Sequence, residues 1–531
     1  MAAMTGKRPT ISSMHGIVAA AHPHAAAAGA SVLSSGGNAF DAVVATAAAL
    51  NVVEPYMSSL AGMGFATCWI EREKRVRTLD FVPRIPMKFP ADKFSKREQL
   101  ARGPASVGVP GNLGGWMELQ KSYGRLTLAQ AFAPAVRLAR GGYPVTEFNV
   151  VENNGTEPDI KAHPALYGAW AKTYTDGSGK LALGWVLRQP QLAATLEEIA
   201  ADGPGRFYQR LVAHLAETGG SVTMDDIAAF KAEWKEPAKA RYRNRVVHVP
   251  PPPCEGFQFL LALRILDGFD LKAMPRNGVE HLDTVWRAIR LSAGERIAHN
   301  NPSTAKLADL LSDGHIERLR ARVRDGRPIT GPTEQWMAPS PQPTAEHHTT
   351  SFSVADADGN LVCVTQSIGS PYGSAVIVPE TGVTLNNFLY WADVQPGSPN
   401  RTKPGGTLEM CVSPSISLED GKPVLALGTP GSYGIKQTQT QAMVQLVDFG
   451  LPIQEAIEAP RARLWDGRKV HAESRFDAAT LSTLGQRGHD LEVGDAWTMK
   501  VGGMHGIAVD PATGAKTGGC DPRRDGYVVP A

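Results

Sequence analysis

Along the first two thirds of the chain apolar residues recur mostly at helical spacing, and after residue 348 short β-rich runs take over. Residues 16–54 read as two helices around Ser34-Ser35-Gly36-Gly37-Asn38, with Val43, Val44, Ala47 and Leu50 on one face of the second. The paired glycines are a helix stop. Residues 67–70 and 78–81 predict a hairpin around the charged turn at 71–74. Amphipathic helical patterns cover 126–142 and 189–219, and a fresh start follows at Thr223. Residues 246–249 read as a strand ended by four prolines, Pro250 to Pro253, and helical spacing returns at 258–267, 278–299 and 316–324.

Residues 326–348 then lose all periodicity and carry five prolines, Pro328, Pro332, Pro339, Pro341 and Pro343, as an internal linker would. Directly after it, 351–355 and 361–367 are β-rich and flank Asp358-Gly359, the strongest short hairpin signal available. Further strands are expected at 375–378, 415–418 and 424–427, and a helix at 434–449. Helices before residue 348 and strands after it predict a layered arrangement of helix and sheet that both halves complete.

Composition adjusts this picture little. The chain has 531 residues, 43% apolar and 20% charged, an ordinary globular balance with material for a large core. A formal net charge of +2 gives no steering toward nucleic acid or an anionic membrane. The basic run at 318–327 is interleaved with apolar residues and reads as a solvated helix end. The N-terminus has no continuous apolar segment of the secretory kind, and the alanine-rich stretches at 19–30 and 42–50 are broken by histidines, Pro23, glycines and Asp41, so a cytoplasmic location is expected. Five scattered cysteines, without CxxC spacing, exclude a disulfide framework and a structural zinc site.

The candidate chemistry sits where the linker meets the first strand, in His347-His348-Thr349-Thr350-Ser351. A threonine hydroxyl needs an adjacent base. Cutting the bond before Thr349 would free an α-amino group with a pKa of roughly 7.7 to 8.0, so the residue would carry its own base. With Asp358-Gly359 as turn centre, the start of the first strand returns opposite Ile368, give or take a residue, which brings Ser367 beside Thr349. A second element, Gly428-Thr429-Pro430-Gly431-Ser432, is a glycine-rich turn from strand to helix, whose N–H groups can face a developing oxyanion. It lacks the lysine of a phosphate loop. His22, His24, His347 and His348 show no HExxH spacing, so a metal hydrolase is not indicated.

These segments resemble the gamma-glutamyltransferase family of N-terminal-nucleophile hydrolases along almost the whole chain. The resemblance is carried, in order, by Gly36-Gly37-Asn38-Ala39-Phe40-Asp41-Ala42, Val109-Pro110-Gly111, Asp202-Gly203-Pro204, Pro251-Pro252-Pro253, residues 349–354, Asp358-Gly359-Asn360, Leu385-Asn386-Asn387, Ser413-Pro414, residues 428–431 and Asp521-Pro522-Arg523. It implies an α+β fold, the four-layer αββα sandwich of those hydrolases. It also implies a proenzyme cut between His348 and Thr349 into a large subunit (1–348) and a small one (349–531). Thr349 would be the nucleophile, Ser367 a supporting hydroxyl, and the Gly431 and Ser432 N–H groups the oxyanion donors. The expected partner is a small-molecule amide, with no cofactor, metal, nucleic acid or membrane.

The chain departs from the family where substrate is recognised. Glutathione-using members carry an arginine directly after an Asp-Phe pair; here Asp80-Phe81 is followed by Val82 and Pro83, and Arg84 comes two places later. Arg84 either reaches the substrate after a loop shift or is a surface arginine. The family asparagine two residues after the supporting hydroxyl is Gly369. Beyond Asn387, where the family presents polar hooks for the α-amino group, this chain has Phe388, Leu389, Tyr390 and Trp391. Asn387, Phe388 and Trp391 are candidate substrate contacts, with Phe388 and Trp391 either walling the acyl pocket or packing in the core. A serine pair before Ser413 is replaced by Met410 and Cys411, and the loop at 400–413 is short. An amide hydrolase with an altered acyl group is therefore the leading expectation. A true gamma-glutamyl transpeptidase or glutathione hydrolase is the alternative, and a catalytically dead binding homologue the third reading.

Overall fold

The computed structural model describes residues 8–331, 348–396 and 401–531. Most of the proline-rich linker, with His347, and Asn400 at the start of the short loop lie outside these residues. Two seven-stranded antiparallel sheets form the centre. Sheet 1 runs Ile11–Ser13, Lys516–Cys520, His505–Val509, Lys422–Gly428, Ser415–Glu419, Arg245–Val249, Ala238–Tyr242. Sheet 2 runs Tyr527–Pro530, Ile17–Ala20, Thr350–Ala355, Leu361–Ser367, Met63–Ile70, Arg75–Phe81, Glu233–Lys235. Each sheet takes strands from both sides of residue 348, so neither segment completes a sheet alone.

The period-two alternation of the strands sorts their side chains into three apolar layers. Ile17, Ala19, Leu361 and Cys363 of sheet 2 meet Ile416, Ala426 and Ile507 of sheet 1 between the sheets. Their neighbours Val18, Ala20, Val362 and Val364 face outward onto helices Pro23–Ser34 and Ala39–Val53. On the far side Val247, Val249, Leu425 and Leu427 pack on helices Phe257–Leu266, Val279–Ala298 and Ile435–Val447. The result is a four-layer αββα sandwich.

Helix Ala39–Val53 is buried at every position, which explains its alanine and valine content. Its start is fixed by a capping box between Asn38 and Asp41. The Asp41 carboxylate also accepts from the backbone N–H groups of Arg125 (3.0 Å) and Leu126 (3.1 Å). The asparagine and aspartate of the glycine-rich N-terminal signature are thus scaffold residues.

One expectation needs correcting. Residues 17–20 were expected to be helical and form a strand, because pairing with Thr350–Ala355 on one side and Tyr527–Pro530 on the other overrides local preference. The helix begins only at Pro23, where His22 caps it. The expected strand at 375–378 shortens to Ile377–Val378, and the helical stretch at 189–219 divides at Gly203-Pro204 into Pro190–Asp202 and Gly205–Thr218.

Candidate active site

The Asp358-Gly359 hairpin forms as the sequence requires, with Gly359 at φ +96° and Thr350 paired with Gln366. That register puts Thr349 opposite Ser367, one residue short of the Ile368 expected from turn counting. Both residues share the face that looks toward sheet 1, and both are buried. The carbonyl oxygen of His348 is the acceptor at the centre of the site. The Thr349 hydroxyl donates to it at 2.8 Å and the Ser367 hydroxyl also donates to it at 2.8 Å. The two hydroxyl oxygens are 3.4 Å apart, and the Gly369 N–H donates to Ser367 Oγ at 3.1 Å. Two hydroxyl donors on one peptide carbonyl draw electron density onto its oxygen.

The glycine-rich turn lies at the same end of the sandwich. Gly428 ends its strand against Ser351, two residues along from Thr349 on the same face. A Cβ at Gly428 would lie 2.2 Å from Ser351 Oγ and 2.9 Å from Cys363 Sγ, so only glycine lets the sheets approach here. Beyond it, Gly431 (φ +132°) and Ser432 (φ +53°) both have positive φ, a strained setting for serine. Among the described residues neither backbone N–H has a protein acceptor. Gly431 packs on Gly502, and Gly503 gives room to Arg524, whose Nη1 donates to the Thr349 carbonyl at 3.3 Å.

A buried polar group surrounds the His348–Thr349 bond from the helical side. Thr350 donates to Glu54 Oε2 at 2.7 Å, and burial raises the Glu54 carboxyl to about 7, although the Thr350 hydrogen bond and Arg524 pull it down. His348 lies 3.5 Å from Glu152; burial lowers its pKa and Glu152 opposes that shift. Sequence reasoning missed Arg524, Glu54 and Glu152, which lie far from Thr349 in the chain. Arg524 alone had a signal, since it follows Asp521-Pro522-Arg523 directly.

The substrate-side candidates fall into two groups. Phe388 is buried with Leu389, Met63, Val82 and Met410 in one apolar cluster, and Trp391 packs half-buried against it. Met63 is paired with Ser367, so this cluster adjoins the hydroxyl pair. Trp391 also lies over Gly369, where a Cβ would be 3.3 Å from its ring and 2.1 Å from Asn387 Oδ1. Asn387 spends its amide within the protein. It donates to the Ala101 carbonyl (2.8 Å) and Ser370 Oγ (2.9 Å) and accepts from the Ser370 N–H (2.8 Å). Arg84 lies beyond the end of the strand whose Phe81 pairs with Gly64, the third strand across from that of Thr349, and its backbone bridges Val109 and Thr407. Its guanidinium lies 4.0 Å from Asp80, and its Nη1 is buried without a hydrogen-bond partner among the described residues. Cys411 Sγ is 3.9 Å from Ser432 Oγ. His22 and His24 stack on each other beside Tyr143. No helix among the described residues is long and apolar enough to cross a membrane.

The family profile described as Gamma-glutamyltranspeptidase matches residues 25–531. The chain belongs to the gamma-glutamyltranspeptidase family. Among curated members, the Acylase ACY 1 proenzyme of Pseudomonas sp. (strain SE83) is 32% identical, over 100% of this chain and 96% of its own length. The Glutathione hydrolase proenzyme of Bacillus subtilis (strain 168) is 29% identical, over 97% and 91%. Among solved structures, cephalosporin acylase from Bacillus halodurans superposes with a TM-score of 0.90 at 31% identity, covering 100% of this chain and 98% of that one. The Helicobacter pylori gamma-glutamyltranspeptidase reaches 0.53 at 25% identity over 57% of this chain and 90% of its own. The chain is thus a member of an enzyme family with the N-terminal-nucleophile hydrolase fold, similar over its length to acylases and glutathione hydrolases alike.

Proposed function

We propose that this protein is a self-processing amide hydrolase in which Thr349 is the nucleophile. The observation that carries the reading is the His348 carbonyl held by the hydroxyls of Thr349 and Ser367, each at 2.8 Å. Thr349 Oγ attacks the His348 carbonyl carbon, and Ser367 stabilises the developing oxyanion. The C–N bond breaks as the Thr349 nitrogen takes up the proton lost from Oγ, leaving an ester and a free Thr349 amine; water then hydrolyses the ester to a His348 carboxylate and the Thr349 hydroxyl. In the mature enzyme that amine takes the hydroxyl proton as Oγ attacks a substrate amide and returns it to the leaving amine. The N–H groups of Gly431 and Ser432 hold the substrate oxyanion, and water releases the acyl group. The relatives named as proenzymes support maturation by cleavage, and the proposed division is into 1–348 and 349–531.

Phe388, Leu389 and Met63 pack as core, and half-buried Trp391 at the edge of that cluster, over Gly369, supports an acyl group with an apolar body; hydrolysis is the proposed fate of the acyl-enzyme. One observation favours the second reading, a true gamma-glutamyl transpeptidase or glutathione hydrolase: Arg84 Nη1, buried without a hydrogen-bond partner among the described residues, is free to take a substrate carboxylate. A panel of p-nitroanilides separates the two, comparing γ-glutamyl, glutaryl and unbranched alkanoyl groups on mature wild type and Thr349→Ala. Thr349-dependent release from the apolar or glutaryl amides supports the acylase reading. Turnover of the γ-glutamyl compound alone, accelerated by a dipeptide acceptor, overturns it in favour of the second.

A further inference from the structure

The peptide joining Gly431 to Ser432 has one N–H and one C=O, and in a planar trans peptide they point in opposite directions. Whatever grips the Gly431 carbonyl therefore aims the Ser432 N–H. Two donors grip it: the Gly434 N–H at 3.0 Å, and Nη1 of Arg463 at 3.0 Å. Arg463 is fully buried, and its guanidinium fills the space beneath Gly434, where a Cβ would lie 2.8 Å from Nη1 and 2.9 Å from Cζ.

The rest of the neighbourhood fixes Arg463 itself. It sits on strand Ala462–Leu464, paired with His471 of Lys469–Glu473. The N–H groups on either side of it, those of Ala462 and Leu464, donate to Gln441 (2.9 Å) and Gln437 (2.8 Å) of the helix that the turn itself opens. The guanidinium lies 4.2 Å from the Trp465 ring. Turn, helix and strand form a closed loop of contacts whose last link is the arginine on the Gly431 carbonyl.

Backbone strain shows why such a link is needed. Ser432 is held at φ +53°, where a non-glycine residue is disfavoured. Rotating the peptide by half a turn would carry Ser432 to about −127°, ordinary extended backbone. It would also turn the Gly431 carbonyl into the site in place of the N–H. Left to itself the turn relaxes toward the wrong dipole. A cationic donor on the carbonyl opposes that rotation and polarises the peptide, which strengthens its N–H as a donor.

On the reading of Gly431 and Ser432 as oxyanion donors, we infer that Arg463 is the positioning residue that locks the Gly431–Ser432 peptide in its catalytic orientation. It touches no substrate and acts only through that peptide. Self-cleavage makes a different demand, because the His348 carbonyl is served by Ser367 and not by the turn.

The test compares wild type with Arg463→Met and Arg463→Lys, reading maturation by intact mass and then kcat and KM on the best p-nitroanilide. Arg463→Met is expected to mature at the wild-type rate and to lose kcat by about ten- to a hundredfold, with KM within about twofold; Arg463→Lys, which keeps a cationic donor, recovers part of the loss. Ser432→Gly placed in the Arg463→Met background removes the strain that favours rotation, and kcat is expected to rise above that of Arg463→Met alone. Undiminished kcat in mature Arg463→Met overturns the inference, as does a double variant no faster than the single one. Should Arg463→Met not accumulate as folded protein, Arg463→Lys with and without Ser432→Gly is read by the same criteria. Absence of any Thr349-dependent turnover in wild type sinks the site reading, and this inference with it.

Discussion

Replacing Ser367 by alanine removes the hydroxyl that donates to the His348 carbonyl at 2.8 Å and leaves the Thr349 hydroxyl to approach it alone. The loss is that of one donor to a developing oxyanion in a buried site, worth about 2.7 to 4 kcal/mol, or a factor of ~10² to 10³ in the rate of self-cleavage. A ground-state cost adds to this. The Gly369 N–H, which donates to Ser367 Oγ at 3.1 Å, is left without an acceptor in a buried position, at about 1 to 3 kcal/mol of stability. Ser367→Thr keeps the hydroxyl and should mature within an order of magnitude of wild type. The assay is a time course of intact mass after synthesis at a fixed temperature, with thermal unfolding run alongside. A slow, Thr349-dependent appearance of the two fragments in Ser367→Ala is expected. Maturation of Ser367→Ala at the wild-type rate would refute the argument that this hydroxyl stabilises the oxyanion.

Two further outcomes follow from packing and charge. Gly428→Ala places a methyl 2.2 Å from Ser351 Oγ and 2.9 Å from Cys363 Sγ, so it must push the sheets apart beside Thr349; a cost of about 1 to 3 kcal/mol in stability and a fall in kcat are expected together, by denaturant titration and amide turnover, and a variant of unchanged stability contradicts the close approach. Burial raises Glu54 from 4.5 to about 7, so between those values the folded protein holds a proton that the unfolded chain releases, and stability falls as pH rises through that window, by up to about 3 kcal/mol in total. Glu54→Gln keeps an acceptor for Thr350 without the ionisation, and should gain on wild type between pH 5 and pH 7.5 in urea midpoints. Parallel pH profiles would show that Glu54 does not titrate in this range.

The parts of the site that were legible in the sequence are those built by local chain geometry. Asp358-Gly359 fixed the hairpin, and the hairpin fixed Thr349 beside Ser367, with the register one residue from the expected pairing. The glycine turn at Gly431 followed from small residues between a strand and a helix. What stayed hidden depends on chain segments far apart. Ile17–Ala20 carries only Ile, Val and Ala, which suit a buried helix as well as a strand, and its partners lie more than 300 residues away. Arg524, Glu54 and Glu152 converge on the residues around the His348–Thr349 bond from three separate segments, and no spacing rule connects them. Arg463 gave no signal either, because an arginine in a short strand is ordinary until its partner is seen to be the Gly431 carbonyl. Asn387 shows the reverse: its place in a family motif suggested substrate contact, whereas its amide is occupied by Ala101 and Ser370.

The central claim is that Thr349 is freed by its own hydroxyl, and the intact mass of purified wild type beside Thr349→Ala tests it most directly. The account predicts two fragments for wild type, divided between His348 and Thr349, and one uncut chain for the variant. A wild-type chain that stays whole, or a Thr349→Ala chain cut at the same bond, would contradict it.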